Sequence, residues 1–306
     1  MPDTFDLMDA TVDLVRRLLP ATVNLHVTIP SSHPSAAILG EERMGSGAVV
    51  DPSGLILTVN YVTMGAKTLR VTLIDGTRVP GRVVARDYEC GICVVKVAGR
   101  NLPHVPMISS RELGLGQFGF IVASTGLVER RVSGGVISYL GPFDAYWEYL
   151  LERSIKLTCV NPGFGGGPCL DMRGRMVGVT SLNLSEAARY SLAIPVEHFL
   201  EHREELLEHG GPVSRPRRPW VGFYPQSTDG GVLVSGLVPN GPAEVAGLQE
   251  GDIILGVDRE EVTSREELFR VMWKRRAGEV LTFRVARDDE RRTIEVISTD
   301  RAVFYA

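Results

Sequence analysis

The residues whose types and spacing bear on chemistry begin with NPGFGGGPC, Asn161 to Cys169. Four of these nine residues are glycine, and such a run lets the backbone turn sharply through positive φ with its N–H groups gathered on one side. A loop of this form presents a nucleophile in acyl-transfer sites, and the surrounding pattern calls for serine where Gly165 stands. Two readings of the glycines are open. One is a tight, closely packed turn that has nothing to do with catalysis. The other is a nest resembling an oxyanion hole, in which the N–H groups of Gly163 and Gly165 hold a carbonyl or carboxylate oxygen. A second candidate is Cys90-x-x-Cys93, within DYECGICVVKV. Positions three apart on a strand face opposite sides, so these thiols converge on a metal only if the chain turns at Gly91. Buried or free thiols are the expectation here and at Cys159 and Cys169. No metal or other cofactor is expected.

The elements that must position these residues can be read from periodicity. Leu7, Met8, Val12, Val15, Leu18 and Leu19 recur at helical spacing until Pro20. From there to about residue 195, short alternating runs are punctuated by DPSG (51–54), Asp75-Gly76 and DMRG (171–174), which argues for antiparallel barrels or sandwiches rather than a parallel α/β sheet. A helix is expected at about 196–209, with Val196, Phe199, Leu200, Leu206 and Leu207 on one face and Gly210 ending it. GPVSRPRRP then reads as a linker. Beyond it, Ser264 and Glu267 form a capping box for a helix with Leu268, Val271 and Met272 on its apolar face.

The 306 residues carry a net charge of −4, which supplies no basic field for a phosphate backbone, so nucleic acid is not an expected partner. The opening MPDTFDLMDATVDLVRRLLP has acids where an export signal needs positive charge. No apolar run approaches the roughly 20 residues of a membrane span. A cytoplasmic location is the expectation.

Five blocks in order resemble the HtrA family of serine proteases: GSGAVVDPSGLILTVNYV (45–62), VTLIDGTRVPGRVVARD (71–87), RVSGGVISYLG (131–141), NPGFGGGPCLDMRGRMVGV (161–179) and SLAIPVEHF (191–199). PWVGFYPQ and GPAEVAGLQEGDIILGVD (241–258) resemble the PDZ domain that follows in that family. The resemblance implies a mainly β chain, a chymotrypsin-like double β-barrel followed by one α+β PDZ domain. The implied organisation is a protease-fold domain over 1–207, a linker over 208–218 and the PDZ domain over 219–306. It also implies trimers, or association with active HtrA-like subunits.

The family's chemistry needs a histidine base, an orienting aspartate and a serine nucleophile. At the matching positions this chain has Tyr61, Gly91 and Gly165. A phenol with pKa near 10 is a poor base at neutral pH, and glycine offers neither carboxylate nor nucleophile. Tyr61 and Phe164 are also bulky enough to fill the cleft. The expectation is a pseudoprotease, not an enzyme, that binds proteins or peptides as an adaptor, scaffold or regulatory partner. The alternative is an endopeptidase working through non-standard residues. For the PDZ segment, the resemblance assigns Trp220, Val221, Gly222 and Phe223 to the loop whose N–H groups capture a C-terminal carboxylate, while the peptide adds as a strand. Pro225, two residues past Phe223, removes an N–H from that edge.

Overall fold

The computed structural model describes residues 4–184, 189–288 and 290–306. They fall into two compact units, Met1–Gly141 with Arg153–Val213, and Pro142–Glu152 with Ser214–Ala306.

The first unit opens on helix α1 (Thr4–Leu18), whose last turn carries Arg16 and Arg17 where cations complement the helix dipole. A Cβ on Gly174 would lie 2.7 Å from Leu18 and 2.9 Å from Leu14, so the DMRG turn seats this helix. The strands that follow are β1 (Thr22–Thr28), β2 (Glu42–Asp51), β3 (Leu55–Val59), β4 (Thr68–Thr72), β5 (Arg78–Asp87) and β6 (Ile92–Val97), with short helices α2 (Pro34–Leu39) and α3 (Asn60–Thr63) between them. They close a barrel in the order β1-β2-β3-β6-β5-β4. Its hairpins are set by the expected turn residues. Asp51 and Asp75 accept bonds from the N–H groups of Ser53 and Thr77, and Gly54 and Gly76 take positive φ. Val23, Leu25, Ile56, Leu57, Val71 and Val94 are fully buried inside.

A second barrel comprises β7 (Phe118–Ser124), β8 (Arg130–Ala145), β9 (Tyr149–Leu157), β10 (Pro168–Asp171), β11 (Met176–Leu184) and β12 (Tyr190–Pro195), in the order β10-β11-β12-β9-β8-β7. Cys159 and Cys169 sit in its core beside Ile121, Ile155, Leu157 and Val177. The helix expected over 196–209 is broken into α4 (Glu197–Leu200) and α5 (Arg203–His209). The physical reason lies in burial: Phe199 and Leu206 are in the core, whereas Leu200 and Leu207 are exposed, so these five apolar residues never formed a single stripe. Gly210 ends α5 in the left-handed region, as expected.

The second unit holds β13 (Phe223–Thr228), β14 (Gly231–Leu237), α6 (Pro242–Val245), β15 (Ile253–Val257), β16 (Glu260–Glu261), α7 (Arg265–Met272), β17 (Val280–Arg287), β18 (Glu290–Ile297) and α8 (Arg301–Phe304). The sheet runs β13-β14-β15-β17-β18, with β16 on β15, so β13 is an edge strand. Phe223, Val232, Ile254, Leu268, Met272 and Phe283 pack its core. Ser264 caps α7 by accepting from Glu267 N–H, but the Glu267 carboxylate reaches Thr263 and not Ser264. The chain is thus mainly β, with the double barrel and α+β domain that the resemblance implied.

Candidate functional site

The three positions singled out in the first unit come together. Tyr61 lies on α3, directly after β3, and Asn60 N–H donates to Gly91 O at 2.7 Å, which seats Gly91 beside it. Gly91 has φ 83° and closes the turn before β6 by donating to Asp87 O at 2.8 Å. Arg43, buried against this corner, donates to the carbonyls of Tyr61, Met64 and Ser35; burial lowers its pKa to about 10.

The Tyr61 hydroxyl donates to Ser181 O at 2.9 Å, and burial pushes the phenol up, so it remains a donor. A Cβ built on Gly165 would stand 2.0 Å from that hydroxyl and 2.7 Å from Ser181 O. The phenol therefore occupies the space that a side chain at position 165 needs. Tyr61 and Phe164 are both half-buried.

The other glycines of the loop are fixed by both barrels. A Cβ on Gly163 would lie 2.3 Å from Ser124 O, on Gly167 2.1 Å from Val122 O, and on Gly166 2.2 Å from Ser46 O. Gly166 also has φ 102°. Ser46 N–H donates to Gly165 O, its hydroxyl to Phe164 O, and Phe164 N–H to Ser124 O. The tight-packing reading thus accounts for these residues completely. The nest reading rests on a different observation: among the described residues, neither Gly163 N–H nor Gly165 N–H has an acceptor.

The chain does turn at Gly91, yet Cys90 and Cys93 meet different partners. Cys93, on β6, accepts from the Thr63 hydroxyl at 3.0 Å. Cys90 precedes the strand, and its sulfur lies within 4.8 Å of ligand atoms on Asp87 and His198. Asp87 Oδ1 is already engaged by Glu89 and Cys90 N–H groups. Burial pushes the Cys93 and Cys169 thiols up.

In the second unit the residues assigned to carboxylate capture divide. Trp220 N–H is committed to Thr299 O at 2.8 Å. The N–H groups of Val221, Gly222 and Phe223 converge on the side-chain carboxylate of Glu148, at 3.2 Å to Oε2 and at 2.6 and 3.2 Å to Oε1. Gly222 has φ 82°, and a Cβ there would meet the Trp220 ring at 2.9 Å. Burial pushes the Glu148 carboxyl up, against the pull of Arg301 and the three donors. Arg301 donates to the carbonyls of Trp147 and Glu148 at 2.6 and 2.8 Å. Neither Glu148 nor Arg301 carries a sequence signal. Their partners lie about 75 and 150 positions away, beyond any local pattern.

Residues 45–179 match the trypsin-like peptidase domain family and residues 219–297 the PDZ domain family. The chain is 30% identical over 276 residues to the putative serine protease HhoA of a Synechocystis strain, covering 82% of this chain and 69% of that protein. It is also 30% identical to a probable periplasmic DegP-like serine endoprotease of Halomonas elongata, covering 87% of this chain and 59% of the relative. The chain spans about three fifths of the length of the DegP-like relatives it matches. Among solved structures, the HtrA-type protease AlgW with a decapeptide is 25% identical, with a TM-score of 0.58, covering 95% of this chain and 98% of that one. A Yersinia pestis serine endoprotease, 23% identical with a TM-score of 0.57, covers 98% and 99% and shares the fold.

These names correct two expectations. The relatives are serine endoproteases and HtrA proteases, which overturns the expectation of a non-enzyme. Reading residue types at positions 61, 91 and 165 addresses one residue set and leaves the cleft and its backbone donors untouched. The relatives are also described as periplasmic, which overturns the cytoplasmic expectation. The opening residues of a chain covering three fifths of its relatives say nothing about compartment. With both domain families matched in order and a relative covered over most of its length, the chain belongs to the HtrA family of trypsin-like serine proteases with a C-terminal PDZ domain.

Proposed function

We propose that this HtrA-family protein recognises proteins or peptides by their carboxylates, through the loop Val221–Phe223 of its PDZ unit. The observation that carries this reading is the convergence of three successive backbone N–H groups on the two oxygens of one carboxylate. Charge-assisted bonds of this kind are the strongest a backbone can offer an anion. The ligand class is a peptide with a free C-terminus, held beside the edge strand β13. Calorimetric titration of the full chain with free and C-terminally amidated forms of one peptide pool tests it. Binding confined to the free form supports the reading, and equal binding of both forms ends it.

A second reading follows from the relatives' names and from the unpaired donors at Gly163 and Gly165: a serine-type endopeptidase that works through residues other than Tyr61, Gly91 and Gly165. It predicts casein hydrolysis that survives Tyr61→Phe and is abolished by a serine-directed fluorophosphonate, with the adduct mapped to a residue of this chain. Absence of both hydrolysis and adduct, at an enzyme concentration at which an HtrA protease control is active, would exclude it. We further place the protein outside the cytoplasm, by the relatives' description. Assembly with copies of itself or with HtrA-like subunits is the expected context. Among the described residues, no helix is long and apolar enough to cross a membrane.

A further inference from the structure

Glu148 is the last residue of the three-residue turn 146–148 between β8 and β9. Its φ of 54° is left-handed. Three-residue hairpin turns ordinarily place glycine there, because an L side chain crowds the neighbouring carbonyl. A glutamate in this position bears a backbone cost that glycine would not, and its side chain is turned into the interior, with the residue 4% exposed. There its carboxylate accepts from Val221, Gly222 and Phe223. Two oxygens on one carbon, met by donors from successive residues, reproduce the geometry expected for the end of a peptide chain.

The rest of the segment extends the likeness. Asp144 pairs with Arg265 and Glu152 forms two bonds with Arg270 at 3.0 and 2.9 Å, both arginines lying on α7 beside β13. The Tyr146 ring meets Tyr224 of β13 at 5.7 Å between centroids. Arg301 clamps the carbonyls of Trp147 and Glu148, on either side of the Glu148 Cα. Acids at 144, 148 and 152 thus face Arg265, the N–H nest and Arg270 in turn. Two of the three acids meet arginines of α7, where Arg270 is shared with Glu266 of the same helix.

We propose that Glu148 is an internal ligand of the PDZ unit. Its side-chain carboxylate holds the place that the α-carboxylate of a partner's C-terminus takes, so the partner and residues 142–152 compete for one nest. This rests on the reading of Val221–Phe223 as a carboxylate receptor. A tethered competitor reduces a ligand's apparent affinity by the fraction of time the nest is open. The wild-type protein is therefore a weak peptide binder held in reserve, and the peptides that do bind carry free C-termini and release the 142–152 segment.

The test uses the full chain and a fluorescein-labelled decapeptide pool, randomised at nine positions and ending in valine, leucine or phenylalanine with a free carboxylate, alongside the same pool amidated. Fluorescence polarisation is read for wild type, Glu148→Ala and Arg301→Gln. The first variant removes the competitor; the second retains Glu148 and loosens its clamp, so the inference survives a folding failure of either one. We expect affinity for the free pool to rise about tenfold or more in Glu148→Ala and several-fold in Arg301→Gln, with no binding of the amidated pool. Hydrogen exchange at the amides of Val221, Gly222 and Phe223 should accelerate in Glu148→Ala and slow again when the peptide pool is added. Carboxylate-dependent binding that is equal or weaker in both variants overturns the internal ligand while leaving the receptor reading intact. If the free and amidated pools bind alike, or neither binds the folded Glu148→Ala protein, the receptor reading falls and takes this inference with it.

Discussion

Placing a side chain at position 165 tests how firmly Tyr61 holds the space beside the glycine loop. Gly165→Ala introduces a methyl whose carbon would lie 2.0 Å from the Tyr61 hydroxyl oxygen and 2.7 Å from Ser181 O. The phenol end can swing away, but doing so breaks its 2.9 Å bond to Ser181 O. Overpacking of this kind costs about 1–3 kcal/mol, and the lost hydrogen bond a further ~1 kcal/mol. Gly165→Ala should therefore destabilise the first unit by about 2–4 kcal/mol. In a Tyr61→Ala background the hydroxyl is gone and only the approach to Ser181 O remains, so the same substitution should cost about 1 kcal/mol. The coupling between the two positions is then about 1–3 kcal/mol, within the range of residues in direct contact. All three tryptophans, Trp147, Trp220 and Trp273, belong to the second unit. Urea unfolding followed by far-ultraviolet circular dichroism, with tryptophan fluorescence marking the second unit, separates the first unit's transition. Equal costs of Gly165→Ala in the two backgrounds would show that Tyr61 does not hold that space. Gly165→Ser meets the same obstruction, and no serine at this position can be presented while the phenol stays.

Gly166→Ala should be worse than Gly165→Ala in any background, because its Cβ would lie 2.2 Å from the backbone carbonyl of Ser46 at a φ of 102°; a loss of about 4 kcal/mol or failure to fold is expected, read by the same unfolding assay. Pro225→Val should tighten binding of free-carboxylate peptides by several-fold, most visibly in Glu148→Ala, since one main-chain bond is worth about 0.5–1.5 kcal/mol; unchanged affinity in titration would mean that no strand forms at β13. Glu197 carries a pH dependence. Burial alone would raise its carboxyl, but the hydroxyls of Ser109 and Ser110, at 2.7 and 2.8 Å, hold it below the usual 4.5. A lowered folded pKa gives stability that is present above the unfolded value and lost as pH falls through the folded one. Glu197→Gln should therefore flatten the acid limb of a melting-temperature profile below about pH 4.5 and lower the plateau above it; an unaltered limb would remove Glu197 from the account.

Features set by short-range chemistry were legible in the sequence. Asp51, Asp75, Gly76, Gly210 and Ser264 act through turns and caps spanning a few residues, and each stands where its type indicates. The break between α4 and α5 was not, because apolar residues at helical spacing do not reveal which are buried until the barrel is built. The glycine loop is plain in the sequence, but the reasons for Gly163, Gly166 and Gly167 lie in carbonyls of Ser124, Ser46 and Val122, on strands of both barrels, and that for Gly165 in the Tyr61 hydroxyl and Ser181 O. Trp220 stands next to the nest in sequence, yet its N–H is spent on Thr299 across the sheet end. Glu148 was least legible of all, because an acid in a hairpin turn is ordinarily a solvated residue.

The four cysteines suggest a use for the fold's burial pattern. Cys90 and Cys93 belong to the first barrel, Cys159 and Cys169 to the core side of the second, all four are buried free thiols, and the PDZ unit has none. A thiol reagent reaches such a sulfur only when the surrounding structure opens. The chain thus carries a pair of natural clocks in each barrel. Peptide mapping of alkylation over time would show whether the two barrels breathe together or separately, without any substitution in the protein.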